Sequence, residues 1–326
     1  MARNRIIYQS QSVAIDDTNV SQYTVNGVQS ANYGLDVARE DINQFGELGA
    51  YDRVILEAPT ATAEFSSYVN GITPANLDKL IKNAVSGNNA TVKISLNTSE
   101  GSDYTAAATN EVVSLTSGSL TSFSAEASVG SIATMTLGFE GVDLSYADSN
   151  TVAAPASAGC DIAVQSGIVI GLLAGDGASG VSTGDALTYA QSCTVSFDLG
   201  TEGLQELGNS SNKFQYARVP SYPASASMSV EGLAIDKGVP LEVRNLVSSS
   251  RTTVPGGVSS AGQQAIKGYS VNVNVDMQGT KFTLTNATLD SVNFTSSLGD
   301  NATVDATFGC SIGGPNSNSN LSVSAA

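Results

Sequence analysis

Short stretches of alternating apolar and polar residues recur along the chain, and this period of two is typical of half-buried β-strands. Residues 31–37 and 193–199 both show it, and they lie 162 positions apart (193 − 31). Further strands are predicted at 60–69, 92–96 and 271–275. We expect the first strand to bury one apolar face, which consists of Ala31, Tyr33, Leu35 and Val37.

The longest patterned stretch occurs twice in the sequence. Residues 114–140 match residues 283–309 without a gap, at a constant offset of 169 (283 − 114), and Gly130 recurs as Gly299. A constant offset with matching apolar positions indicates an internal duplication. Each copy is expected to contain a strand, a loop, a strand, a helix, a strand and a closing strand pair. In the first copy, the apolar face of the last strand consists of Ala133, Met135, Leu137 and Phe139.

One helix is clearly predicted in the first copy. Thr73 supplies an N-cap hydroxyl, and Pro74 occupies the first helical position, where its missing N–H costs nothing. The apolar residues that follow have helical spacing, and Gly87 ends the pattern. The second copy has a shorter, less regular counterpart at residues 240–247. The apolar stripe of the first helix consists of Leu77, Leu80, Ile81 and Val85.

An acidic loop with exposed apolar residues follows the first strand of each copy, at residues 40–52 and 202–215. Apolar side chains in a loop either fold back on their own domain or contact a neighbouring subunit, and the sequence leaves both open. The candidate contact residues are Glu40, Ile42, Phe45, Leu48, Tyr51, Leu204 and Leu207.

These patterns divide the chain into three parts. Residues 1–144 form a first domain whose first 25 residues are predicted to be a polar arm. Residues 145–188 are rich in Ser, Ala and Gly and are predicted to be a linker or an inserted lobe. Residues 189–326 form a second domain, with a flexible tail expected after Gly313.

Composition excludes several classes of function. The chain has 326 residues, no histidine, only 13% charged residues and a net charge of −16. A surface this acidic repels nucleic acid phosphates. Without histidine, the usual general base and zinc ligand are missing. The three cysteines, Cys160, Cys193 and Cys310, are odd in number and widely spaced, which indicates reduced thiols, the last two buried in strands.

No motif points to an enzyme, a cofactor or a metal. Gly175 to Gly180 fits G-x-G-x-x-G, but no helix is predicted to follow it, so a flexible loop is favoured over a dinucleotide site. No signal peptide is evident, and the longest apolar run, residues 168–174, is too short to span a bilayer. Asn-x-Ser/Thr sequons occur, as expected by chance in so Asn-rich and Ser/Thr-rich a chain.

Acidic residues on the polar faces of the predicted strands are of more interest. Each alternates with residues of the core, so it points away from the core. Such a face either meets bulk water or lines a channel in which DNA must not be retained. These candidate channel residues are Asp36, Glu64, Glu140, Asp198 and Asp305.

Residues 25–71, VNGVQSANYGLDVAREDINQFGELGAYDRVILEAPTATAEFSSYVNG, resemble the tail tube (major tail) proteins of tailed bacteriophages. Residues 191–232 are similar again, more weakly. The resemblance implies a mainly β fold with two tandem sandwich-like or barrel-like tube domains, each with a short flanking helix. In that family six domains form a ring, inner strands join into one barrel around the genome channel, and rings stack through the loop after the first strand.

For a duplicated chain, the resemblance implies a trimeric ring with pseudo-sixfold symmetry. It further implies a virion protein assembled in the host cytoplasm, with tail terminator, tape measure and baseplate or tip proteins as partners. Viral DNA would pass through the channel without specific binding, and no membrane would be involved. The alternative is a tandem β-sandwich adhesin or pilus-like module. A capsid decoration protein and a polysaccharide-degrading enzyme fit the sequence less well.

Overall fold

A computed structural model gives the fold, which is mainly β with one α-helix in the described residues. The residues described are 11–17, 20–46, 48–55, 58–96, 103–107, 110–148, 152–156, 162–174, 185–186, 189–204, 217–234, 271–313 and 320–325. The predicted second helix at 240–247 and the Gly-rich motif at 175–180 lie outside them, as do Cys160 and Leu207.

The first half of the chain contributes ten strands and the helix α1. In chain order they are β1 (Gln11–Asp17), β2 (Val20–Val25), β3 (Val28–Asp36), β4 (Arg39–Ile42), β5 (Asp52–Ile55), β6 (Thr60–Tyr68), α1 (Pro74–Val85), β7 (Ala90–Leu96), β8 (Glu111–Ser128), β9 (Thr134–Gly141) and β10 (Asp143–Asp148). Short 3₁₀ turns lie at Val69–Gly71 and, in the second half, at Gln165–Gly167.

The described part of the second half contributes ten further strands. They are β11 (Ile168–Ala174), β12 (Asp185–Ala186), β13 (Ala190–Asp198), β14 (Thr201–Leu204), β15 (Ala217–Pro220), β16 (Ala224–Leu233), β17 (Val271–Met277), β18 (Thr280–Thr295), β19 (Thr303–Ile312) and β20 (Leu321–Ala325).

Strand pairing in the second half repeats that of the first, strand for strand. The pairs β1·β2, β1·β7, β7·β8, β8·β10, β8·β9, β9·β6, β6·β3 and β4·β5 recur as the same pairs with ten added to each number. One pair of residues in left-handed conformation also corresponds, since Ser117 (φ 55°) and Asn286 (φ 57°) are 169 positions apart (286 − 117). The duplication therefore extends through the strand pairing of the described residues.

The long strands β8 and β18 each belong to two sheets. Their C-terminal parts lie in one antiparallel sheet of eight strands, in the order β3-β6-β9-β8-β13-β16-β19-β18. Their N-terminal parts lie in the two sheets β2-β1-β7-β8-β10 and β12-β11-β17-β18-β20. One hydrophobic cluster unites the buried faces of these sheets, so a single core runs through both halves.

Aromatic contacts mark this core. Phe65 and Phe139 stack within the first half, with ring centroids 6.1 Å apart. Phe123 of β8 contacts Phe282 of β18 across the two halves, at 5.8 Å. All four rings are buried, so the halves share apolar surface as well as hydrogen bonds. The predicted apolar face of β9, from Ala133 to Phe139, is buried as expected.

Helix α1 forms as predicted and joins the two halves. It begins after Thr73, and its buried residues include the whole predicted apolar stripe. On its other side, the Asp78 carboxylate accepts a hydrogen bond from the Val323 N–H of β20, at 3.0 Å. The Tyr222 hydroxyl donates to the Val85 carbonyl at the end of the helix.

Three segments differ from their sequence-based expectations. Residues 11–25 form the hairpin β1·β2 instead of a polar arm, because Val13 and Ile15 enter the core. The stretch 145–188 contains the end of β10 and the strands β11 and β12, which pair as β1 and β2 do. Within the expected flexible tail, residues 321–325 form β20, because Leu321 and Val323 are buried. The exact domain boundaries stay a prediction.

Candidate functional site

One face of the eight-stranded sheet carries a row of carboxylates. Apart from bulges in β3, β8, β13 and β18, the strands alternate, with apolar side chains in the core and polar side chains opposite, as in β6 and β9. All five sequence-predicted acids lie on this polar face. Three further acids lie on this face and were not predicted, namely Glu126, Glu231 and Asp290. Glu126 and Glu231 follow the same alternation as the predicted acids. Asp290 borders a bulge in β18.

This acidic face contains no positive charge from its own strands. The eight strand segments hold the eight carboxylates just named and not one Lys or Arg. Their other polar residues are mainly Ser, Thr and Asn, some of which donate hydrogen bonds to the carboxylates, as Ser192 does to Glu231 at 3.3 Å. Electrostatically, the face repels polyanions and offers them hydrogen-bonding groups without cations.

The sheet ends in two strands that each lack one neighbour among the described residues. On one side β3 pairs only with β6, and on the other the segment 289–295 of β18 pairs only with β19. An exposed strand edge of this kind offers unpaired N–H and C=O groups to another strand.

Both edges carry exposed apolar side chains on the core-side face. On β3, Tyr33 is 43% exposed and Leu35 is 48% exposed, so the predicted burial of this face is wrong for these two residues. The reason is the edge position of β3, where the Tyr33 ring meets the Tyr146 ring of β10 edge to face, with the centroids 6.5 Å apart. On β18, Val292 and Phe294 are exposed as well, Phe294 at 66%.

Within the chain, the strands equivalent to these two edge strands already pair with each other. β8 corresponds to β18 and β13 to β3, and β8 pairs antiparallel with β13 over seven residue pairs, from Ser192↔Ser128 to Asp198↔Ser122. In this internal junction Phe197 lies opposite Phe123, and both are buried. The junction has no counterpart between the outer edges β3 and β18 of a single chain.

The hairpin β4·β5 extends the predicted contact loop away from the core. Its apolar tip residues are among the most exposed in the described chain, with Phe45 at 108% and Leu48 at 111%; Ile42 and Tyr51 are also exposed. Glu40 is exposed in β4, and an Asp41–Arg53 ion pair crosses the hairpin. The equivalent hairpin β14·β15 contains the half-buried Leu204. The structure thus brings the candidate contact residues of the first copy together in one exposed hairpin.

The two described cysteines are structural in character. Burial raises the pKa of the Cys193 thiol to about 12 and that of the Cys310 thiol to about 11. Within the described ranges, no group of three His, Cys, Asp or Glu side chains is placed to hold a metal ion. The same ranges contain no helix with the length and apolar character needed to cross a bilayer.

The solved structures that are similar to parts of this chain include two from phage-like particles. A chain from the tail of an empty GTA particle, refined helically with C6 symmetry, is 16% identical over 49% of this chain and 98% of its own length, with a TM-score of 0.32. A chain from the sixfold-symmetrised baseplate of the anti-feeding prophage (AFP) is 15% identical over 45% of this chain and 97% of its own, also with a TM-score of 0.32. No protein-family model and no curated protein matches the sequence. The charge and edges of the sheet, not these likenesses, carry the following proposal.

Proposed function

We propose that this protein is a phage tail tube subunit whose eight-stranded sheet closes, ring by ring, around a channel for the viral genome. The observation that carries the proposal is a sheet with two edges that are unpaired among the described residues and a polar face whose eight strand segments hold eight carboxylates and no Lys or Arg. Edge pairing between copies explains the first feature, and passage of DNA without retention explains the second.

Three copies close such a ring at a useful size. They supply 3 × 8 = 24 strands. With about 4.8 Å between strands and a tilt of about 40°, a barrel of that many strands measures about 48 Å between opposite strands. After side chains are allowed for, this interior is wider than a DNA duplex. Closure also removes both exposed edges, which would otherwise promote aggregation.

The acidic face explains why DNA would slide. Each ring of three copies would present 3 × 8 = 24 carboxylates to the channel, among them the predicted Asp36, Glu64, Glu140, Asp198 and Asp305. Protein–DNA affinity comes largely from Lys and Arg that neutralise phosphates and release counterions, and the strands of this face provide none. We assign no enzymatic activity and no cofactor to the chain.

Stacking of rings completes the proposed tube. In this proposal the exposed apolar tip of β4·β5 would contact the next ring, and the burial of Phe45 and Leu48 would drive head-to-tail association. The ends of such a tube would contact tail terminator, tape measure and baseplate or tip proteins. The product is a virion component assembled in the host cell.

Electron microscopy of the purified protein, with light scattering on the same sample, tests the proposal. Hollow tubes, or rings with the mass of three chains, are the expected result. Rings of six chains would retain the tube and refute the trimer. A monomer that never assembles, even when seeded with preformed tail tips, and that binds glycans or cells would refute the proposal in favour of an adhesin.

A further inference from the structure

We propose that the internal junction β8·β13 is the template for the contact between neighbouring copies, so that β3 of one copy pairs with β18 of the next in a defined register. This inference rests on the proposed ring and adds its residue-level contact. The occupant of each open edge is a second copy of this chain.

The register follows from the two sequence offsets. β3 precedes β13 by 162 positions, and β18 follows β8 by 169 (31 + 162 = 193; 115 + 169 = 284). The internal pair Val195↔Ala125 then becomes Tyr33↔Phe294. The pair Phe197↔Phe123 becomes Leu35↔Val292 by the same shift. The full set of intermolecular pairs runs from Ser30↔Ser297 to Asp36↔Ser291.

The side chains at these positions support that register. The four residues that it places opposite one another on the core side, Tyr33, Leu35, Val292 and Phe294, are all exposed in the single chain. In the internal junction, the four equivalent residues are all buried. A shift of one residue would instead place these apolar side chains opposite polar ones on the other face, because side chains alternate along a strand.

A groove beside β3 gives a second, independent match. At the internal junction, a cavity of about 300 Å³ is lined by residues 127–129 of β8 and its turn, by residues 168–170 of β11 and by residues 189–193. A groove of about 580 Å³ beside β3 is lined by the equivalents of the last two groups, residues 11–13 and 27–31, and also by Val25, Asp103, Tyr104 and Pro155. The first group has its equivalent in residues 296–298, which follow β18 at the other edge of the sheet (127 + 169 to 129 + 169). Leu298, 106% exposed in the single chain, would enter the groove from the neighbouring copy.

Backbone hydrogen bonds bracket the internal junction and predict their intermolecular equivalents. The Val129 N–H donates to the Gln191 carbonyl at 2.8 Å, and the Leu199 N–H donates to the Thr121 carbonyl at 2.8 Å. The corresponding bonds between copies run from the Leu298 N–H to the Gln29 carbonyl and from the Val37 N–H to the Asp290 carbonyl. They would satisfy main-chain groups at both ends of the new strand pair.

Disulfide trapping tests the register. The double variant Asn32→Cys/Thr295→Cys places two thiols directly opposite on the polar face, where paired Cβ atoms lie about 4.5–5.5 Å apart and a small adjustment allows a bond. The matched control Asn32→Cys/Asn293→Cys shifts one partner by two residues, so that the two Cβ atoms would lie about 7–8 Å apart. Both are assembled, oxidised mildly and separated on non-reducing gels, beside wild-type protein, which reports any bonds between native thiols.

The expected result is covalent dimers and trimers for the first variant, at least tenfold more than for the shifted control or wild type. Preferential crosslinking of the shifted control, or no crosslink in either variant although microscopy shows tubes, would overturn the register and leave the tube intact. Failure of wild-type protein to form rings or tubes, even when seeded with preformed tail tips, together with binding to glycans or cells, would refute the proposed function itself. As a second readout, Leu35→Ser/Phe294→Ser should prevent ring formation while circular dichroism remains that of the folded chain; rings of normal stability would contradict the proposal.

Discussion

The apolar tip of the β4·β5 hairpin gives the sharpest prediction about assembly. We consider the double variant Phe45→Ser/Leu48→Ser. Because both side chains are fully exposed in the single chain, they contribute nothing to its core, and the free energy of unfolding should change by less than about 0.5 kcal/mol. The proposed tube would bury them, so the effect should appear in stacking alone.

The magnitude follows from the burial expected in the tube. Complete burial of a Phe or Leu side chain is worth about 1.5–3 kcal/mol, so the two residues together contribute about 3–6 kcal/mol per copy. A factor of ten in association corresponds to about 1.4 kcal/mol, so the protein concentration needed for tubes should rise at least about a hundredfold. Isolated rings should still form, because the strand edges are unchanged.

Sedimentation velocity across a concentration series, with electron microscopy of the same samples, measures this threshold. Val164→Ser is the matched control, because Val164 is an exposed apolar residue that belongs neither to the hairpin nor to the lining of the junction cavity. Tubes of wild-type length at wild-type concentration would refute the assignment of the tip to stacking. A fall of several degrees in the unfolding temperature would show instead that the tip packs on its own domain.

Three further predictions concern the single chain. Phe139→Ala removes a buried ring that stacks on Phe65 and should cost about 3–5 kcal/mol in urea unfolding; an unchanged midpoint would contradict the packing of β9. Asp78→Ala removes the acceptor of the Val323 N–H and should cost about 1–2 kcal/mol while hydrogen exchange accelerates in residues 320–325; unaltered exchange there would argue against the helix contact. Burial raises the pKa of the Cys193 thiol from 9.0 to about 12, so this thiol loses its proton at a lower pH in the unfolded chain than in the folded chain. Stability should therefore hold below about pH 9 and fall as the pH rises toward 12, less steeply in Cys193→Ala, and identical pH profiles would count against this linkage.

Periodicity predicted most of the fold where one face of a strand is buried and the other is not. Glu64 lies between Ala63 and Phe65, and this local pattern alone places its carboxylate on the polar face. The helix was equally predictable, because a proline at the first helical position and a helical apolar spacing are local features, although the Thr73 side chain makes no capping hydrogen bond. The duplication was visible because both copies retain the same apolar positions.

Other features depend on the order of strands, which no local pattern contains. Val13, Ala14 and Ile15 are all buried, since β1 packs on the core with one face and on Tyr104 with the other, so the period of two disappears. Conversely, residues 31–36 of β3 alternate, yet Leu35 is exposed because the strand lies at an edge. The acidic face is therefore predictable from single strands, whereas the two open edges are not.

The internal junction β8·β13 has a consequence for the entropy of assembly. Six separate domains that form a ring give up the independent translation and rotation of five molecules, whereas three fused chains give up that of only two. Each such loss costs about 4–15 kcal/mol at a 1 M standard state. Because the peptide chain already joins half of the six domain contacts in the proposed ring, these contacts form at any protein concentration. In the proposed assembly, fusion would thus lower the barrier to the first ring, and it would free the two halves to diverge in their loops.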